Sequence, residues 1–263
     1  MITTTHNFIF RDVYEYVALI ERCAQYEDTF IELGLKDNSE LAFRLQKPHK
    51  LSLLHEYIFA MIRTEQSREY RKNSDSYDEE HIERLKQVFE EYEVQLVSFP
   101  LVNFSSSACE AYGEFYEWFL INESAFLDYW EKVADEVFHI IFSNRRFLLQ
   151  FGVSLSNYLS RTYEHLPQSA LSTTGRIKRF NRIPLWLKKA VFYRDHGRCV
   201  FCKNDLSGLL ATDRRLHLDH IVPLARWGSN DPSNFQLLCE SCNLKKSGSP
   251  AQTSRFYVPW WDY

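Results

Sequence analysis

Two Cys-x-x-Cys pairs, Cys199/Cys202 and Cys239/Cys242, stand 36 residues apart and constrain the fold of this chain more than any other feature. Four thiolates complete a tetrahedral zinc ion and leave no position for water. Such an ion is structural, and its binding energy stabilises a region with little core of its own. The spacing is too long for a simple zinc ribbon, so the metal closes the base of something larger. In a chain that stays in the cytosol, paired Cys-x-x-Cys reads as metal binding before disulfide, with a redox pair as the alternative. Cys23 and Cys109 are isolated.

Charge is as unevenly distributed as cysteine. Residues 1–171 hold 16 Lys and Arg against 28 Asp and Glu, whereas 172–263 hold 15 against 7, within an overall net charge of -4. The second part suits a polyanion and the first repels it. With 45% hydrophobic and 16% aromatic residues, the chain can bury one or two cores, which excludes disorder as its main state. Its longest apolar runs, such as Ile140-Ile141-Phe142, are far short of a membrane span. The start, Met1 to His6, has no basic cluster leading into an apolar stretch, so we expect no secretory leader and a cytoplasmic location.

From Arg11 to about Leu159 apolar residues recur at helical spacing, as in Val13, Tyr16, Val17, Ile20 and Ala24, and no strand alternation is sustained. Further helices are predicted over 39–46, 49–72, 77–98, 106–121 and 124–158, with Ser39, Ser76 and Ser124 as caps and Pro48, Pro100 and Gly113 as punctuation. The aromatic run Tyr112, Phe115, Tyr116, Trp118, Phe119, Phe126, Tyr129 and Trp130 reads as core rather than as a ligand box. The chain is thus mostly α, with an acidic all-helical domain over 1–170 suited to regulation or oligomerisation, a basic linker over 171–183, and a small α+β domain over 184–263. Pro167 to Gly175 marks the boundary, and the cationic run Arg176 to Arg182 leads into a helix from Pro184 to about His196. Such a run is either a solvated face or a grip on phosphates that reads no sequence.

Between the cysteine pairs, Leu216 to Leu224 reads as a strand closed by Pro223, Gly228 to Asn234 as a polar turn, and Phe235 to Leu238 as a returning strand; Asn243 then opens a short helix. Asp219, His220, Asn234 and Asn243 fall where the three pieces meet. Together Cys199-x-x-Cys202, Asp219-His220-Ile221-x-Pro223, Asn234-Phe235-x-x-Leu238-Cys239 and Cys242-Asn243-x-x-Lys246 resemble the HNH endonucleases of the McrA-like, zinc-stapled type. The resemblance covers roughly residues 183–250. It implies a ββα-metal finger that holds one divalent ion and cleaves phosphodiester bonds, leaving 5′-phosphate and 3′-hydroxyl ends.

The same resemblance implies His220 as general base, with an ordinary pKa of about 6.5 suited to neutral pH. Asp219 would ligate Mg²⁺ or Mn²⁺, and Asn234 would hold the loop and orient the base. Many members carry His where this chain has Asn243, whose amide oxygen suits a hard cation better than zinc or nickel. Lys246, three residues on, would share the face of Asn243 and contact phosphate, with Lys245, Arg226, Arg176, Lys178 and Arg179 as further DNA contacts. Adjacent strand residues face opposite sides, so a twist or bend is expected for Asp219 and His220 to serve one site. His217 is assigned a structural or surface role, and the aromatic end Phe256 to Tyr263 is expected to pack against the body.

DNA is the expected partner of the nuclease. A protein partner, a small ligand or a second copy is expected for the acidic helical domain, in the manner of a restriction or phage-defence effector. A catalytically inactive, zinc-stapled DNA-binding module is the alternative. A third reading, an RNase built on Arg44 and His49, follows the loose Arg-x4-6-His pattern of HEPN ribonucleases.

Overall fold

The computed structural model describes residues 8–34, 43–77, 79–96, 108–208, 216–247 and 249–258. Among them the chain is mostly helical: α1 (Val13–Cys23), α2 (Leu53–Lys72), α3 (Glu79–Glu91), α4 (Ala108–Ile121), α5 (Glu123–Phe142), α6 (Arg145–Thr162) and α7 (Leu185–Arg194) precede β1 (Leu216–His220), β2 (Phe235–Cys239) and α8 (Glu240–Lys246). No described helix is long and apolar enough to cross a membrane. The stretch Met1 to His6, the Ser39 cap, Pro100, the side chains of Cys109 and Tyr112, and the end of the aromatic tail, Pro259 to Tyr263, lie outside the described residues.

The chain divides into two compact units, residues 1–17 with 58–138 and residues 18–57 with 139–263. In the first, Tyr70 meets the rings of Phe115, Phe119 and Phe126, Tyr77 stacks on Phe115, and Phe89 packs on Phe126 and Tyr129. Phe115, Trp118, Phe119, Phe126, Tyr129 and Trp130 are buried, as the core reading of this run requires. Aromatic pairs supply the core because each buries a large area and edge-to-face contacts add to it. The buried Glu136 carboxylate accepts hydrogen bonds from the Phe10 backbone and the Tyr92 hydroxyl, fixing the incoming chain. Gly113, read as a break, lies within α4, where a helix tolerates glycine at a cost of about 1 kcal/mol.

In the second unit Phe30 stacks on Tyr57 and tilts against Phe151 of α6. The helix predicted over 124–158 is two helices, because the Asn144 side chain accepts from Phe147 N–H at 3.2 Å and caps α6. Within the stretch from Pro167 to Gly175 and just beyond it the chain turns back on itself: Leu171 bridges Ile177, which is buried, and Gly175 turns the chain at φ 69°. The change of charge at residue 171 therefore falls inside this unit.

β1 and β2 pair antiparallel, from Leu216 opposite Cys239 to His220 opposite Phe235. Leu187 and Val191 of α7 join Val200, Leu206, Phe235, Leu237 and Leu238 in one apolar cluster with Cys199 and Cys239. Beside it Asp195, fully buried, accepts from the Arg194 guanidinium at 2.9 and 3.0 Å and from Leu237 N–H at 2.8 Å. That pairing lets a charged group sit in the core and locks α7 to β2.

Candidate functional site

The four-cysteine cluster is built from local structure. Arg198 bridges Asp205, Lys203 takes a left-handed conformation, and its N–H donates to Cys199 C=O, so Cys199 and Cys202 face each other on a tight knuckle. Cys239 ends β2 and Cys242 lies in the first turn of α8. All four Sγ atoms lie within 4.8 Å of one another, and Cys202 to Cys239 is 3.7 Å. A tetrahedron with Zn–S bonds of about 2.3 Å has edges near 3.8 Å, so the cluster fits the ion. Burial and the crowding of neighbouring thiols push Cys242 up to about 12 and raise Cys202. Burial also acts to raise Cys239, but hydrogen bonds from the Ser241 hydroxyl and Cys242 N–H outweigh it and bring the thiol down to about 6. A cation relieves such crowding by holding all four as thiolates.

At the end of β1 the regular pairing continues through His220, so the strand shows no bulge or slip at Asp219 and His220. The two side chains there have different partners. Asp219 Oδ2 accepts from Lys246 Nζ at 2.8 Å and from Gln236 Nε2, its cross-strand neighbour, at 3.0 Å. Lys246 also donates to His220 C=O. This corrects the reading of Lys246 as a phosphate contact: its side chain is 3% exposed and its ammonium is spent inside the finger. Lys245, the neighbour expected to point elsewhere, is exposed.

The His220 imidazole is buried against Phe235, with ring centroids 4.5 Å apart, and its Nε2 lies 3.2 Å from Asn230 Oδ1. Burial, then the positive charge of Arg179, lower its pKa to about 4, so the ring is neutral at pH 7. The Asn234 side chain bonds to the backbone of the loop. Its Oδ1 accepts from Val222 N–H at 2.8 Å and its Nδ2 donates to Val222 C=O and Ser229 C=O, a clasp that closes the loop. Gly228 is required beneath it, because a Cβ there would come within 1.9 Å of Val222 C=O.

Asn230 is the residue that sequence reasoning missed. It is fully buried, and its Nδ2 donates to Lys178 C=O at 2.7 Å, Gln46 C=O at 2.9 Å and Leu45 C=O at 3.3 Å. Its backbone N–H donates to Leu45 C=O at 3.0 Å, and Oδ1 also accepts from Phe180 N–H. Next to it Asp231 Oδ2 accepts from Leu53 N–H at 2.6 Å, capping α2, while Oδ1 accepts from Ser233. Within a Gly-Ser-Asn-Asp turn such residues look like ordinary turn chemistry; the signal lies in partners some 180 residues away.

Asn243 is half-buried on α8, one turn before Lys246. Arg176 lies over the Trp227 ring at 4.5 Å and donates to Ala225 C=O, beside the exposed Arg226. Lys178 donates to Ser169 C=O at 3.0 Å, and Arg179 is exposed and close enough for its charge to act on His220. His217 Nε2 is buried without a hydrogen bond. The described part of the tail packs against the body, with Arg145 donating to Ser254 C=O and Phe256 C=O and lying 3.7 Å over the Tyr257 ring, whose hydroxyl donates to Ser143 C=O, although the Phe256 ring is exposed. Arg44, half of the RNase reading, is committed to Glu56 at 2.6 Å and to Leu51 C=O, and His49 packs edge-on to Phe43.

With this geometry established, residues 199–249 match the sequence model of the HNH endonuclease family. No curated protein and no solved structure matches the chain. The matched segment takes in the thiol cluster, both strands and α8.

Proposed function

We propose that residues 184–263 form a metal-dependent endonuclease that hydrolyses DNA phosphodiester bonds, with His220 as general base. The observation that carries this reading is a neutral, hydrogen-bonded imidazole at the end of the first strand of a ββα unit whose sequence is that of the HNH endonucleases. A neutral ring can take the proton of an attacking water at pH 7. Asp219 and Asn243 offer a carboxylate and an amide oxygen, a donor set suited to Mg²⁺ or Mn²⁺. A divalent ion held there would supply charge stabilisation at the scissile phosphate. Arg176, Lys178, Arg179, Arg226 and Lys245 serve phosphates along the duplex. The acidic helical residues leave the DNA to this segment and bind a protein partner, a small ligand or a second copy, a layout that suits a restriction or phage-defence effector.

Supercoiled plasmid with Mg²⁺ or Mn²⁺ tests the reading. Cutting is expected, abolished by EDTA and by His220→Ala while zinc content and DNA affinity persist. Undiminished cutting by His220→Ala defeats it. The non-catalytic DNA-binding reading has one observation in its favour, the Lys246 ammonium already neutralising Asp219; a folded, zinc-loaded protein that binds DNA and never cuts would establish it.

A further inference from the structure

We propose that Asn230 positions His220, and that it does so from a foundation outside the HNH segment, the backbone of Leu45, Gln46 and Lys178. The proposal rests on the nuclease reading only for its consequence in catalysis; the geometry stands apart from it.

An amide side chain has one face that donates and one that accepts. Three carbonyls surround Asn230 Nδ2, those of Leu45, Gln46 and Lys178, so this end must be the donor. Oδ1 therefore faces His220 and Phe180 N–H as an acceptor. An acceptor 3.2 Å from His220 Nε2 requires the proton on that nitrogen. The lone pair is then on Nδ1, and the imidazole is held in one tautomer. Ring orientation is fixed from both sides, by this bond at one edge and by Phe235 against its face.

The foundation lies outside the segment that matches the family. Neither Leu45 nor Gln46 belongs to the segment that matches the family, yet both hold the Asn230 amide, and Leu45 C=O also takes its backbone N–H. Asp231 repeats the pattern one residue later by capping α2 at Leu53. Gly152 of α6 brings a further helix against the same loop, for a Cβ there would meet Val222 at 3.0 Å. The tautomer of the base is thus set by a side chain that the helical part of the chain holds in place.

Long-range ¹H–¹⁵N spectra of the histidine rings in the full chain at neutral pH test the tautomer directly, with His220→Ala identifying the His220 signals. The expected result is a protonated Nε2 and a bare Nδ1 in the wild type. A protonated Nδ1 overturns the proposal whether or not the protein cuts DNA. Asn230→Ala is then expected to lose the single tautomer and to cut roughly 10- to 100-fold more slowly at saturating DNA, with DNA affinity and zinc content retained. A zinc-loaded Asn230→Ala protein with wild-type spectrum and rate overturns the proposal. Where that variant does not fold, the wild-type spectrum decides. A wild type that fails to cut while showing the Nε2–H tautomer defeats the nuclease reading and leaves the positioning of His220 in place.

Discussion

A lysine whose side chain is 3% exposed must find partners for its charge, and Lys246 does so with Asp219 and the carbonyl of His220. Removing one member of such a pair leaves the other buried and uncompensated, which costs more than the pair contributed. Because Asp219 keeps some contact with solvent and its bond from Gln236, Lys246→Met is expected to lower stability by about 2 kcal/mol in urea unfolding. Lys245→Met, one residue away and exposed, should change stability by less than about 0.5 kcal/mol and instead weaken DNA binding. Equal stability of the two variants would mean that the inward ion pair does not form in solution. The motif shows that Asp219, His220 and Lys246 belong together. Which atom meets which depends on the register of β1 against β2 and on the turn of α8, neither of which a spacing pattern specifies.

Among the elements, the start of α2 is the most revealing. Ser52 Oγ accepts from His55 N–H at 3.3 Å, and His55 Nδ1 accepts from Ser52 N–H at 3.0 Å, a reciprocal cap with histidine in the place usually held by Glu or Gln. Nδ1 can accept only while it carries no proton. Burial, followed by the charges of His139 and Arg44, lowers the His55 pKa to about 3. Against an unfolded value of about 6.5, the unfolded chain binds the extra proton between these limits, so the stabilisation is full above pH 6.5 and is lost as pH falls. Between pH 7 and pH 5 this amounts to roughly 2 kcal/mol. His55→Gln, which keeps an acceptor within reach of Ser52 and cannot titrate, should flatten that part of the urea-unfolding profile. An unchanged acid slope would assign the loss to other groups. Helical periodicity shows that α2 exists but not where it begins, because Leu53 N–H is satisfied by Asp231, a residue 178 positions away. Asn144 likewise divides one predicted helix into α5 and α6 through a cap that apolar spacing does not record.

On the scale of the whole chain, the contrast in charge at residue 171 separates acidic from basic composition, but packing draws a different line and places 18–57 with 139–263. The reason is visible in the bonds that cross residue 171. Leu45, Gln46 and Leu53 hold the loop of Asn230 and Asp231, and Arg145 reaches Asp195 at 3.5 Å. Those partners are absent from a fragment of residues 172–263. The thiol cluster is built from 199–205 and 239–242 alone, so the fragment should still bind one zinc. Its loop should not hold, because Asn230, Asp231 and Ser233 are almost fully buried polar residues that would lose their covering, and a buried polar group without a partner costs about 1–3 kcal/mol. Amide exchange separates the two behaviours. Asn230 N–H, whose acceptor is Leu45 C=O, should be protected in the full chain and exchange freely in the fragment, whereas Val200 N–H, bonded to Leu237 C=O within the fragment, should stay protected in both. Equal protection of Asn230 in the two would show that the HNH segment is self-sufficient. Loss confined to the loop would mean that the helical residues act on the site by completing it, and that a partner gripping 43–57 has a direct mechanical route to His220.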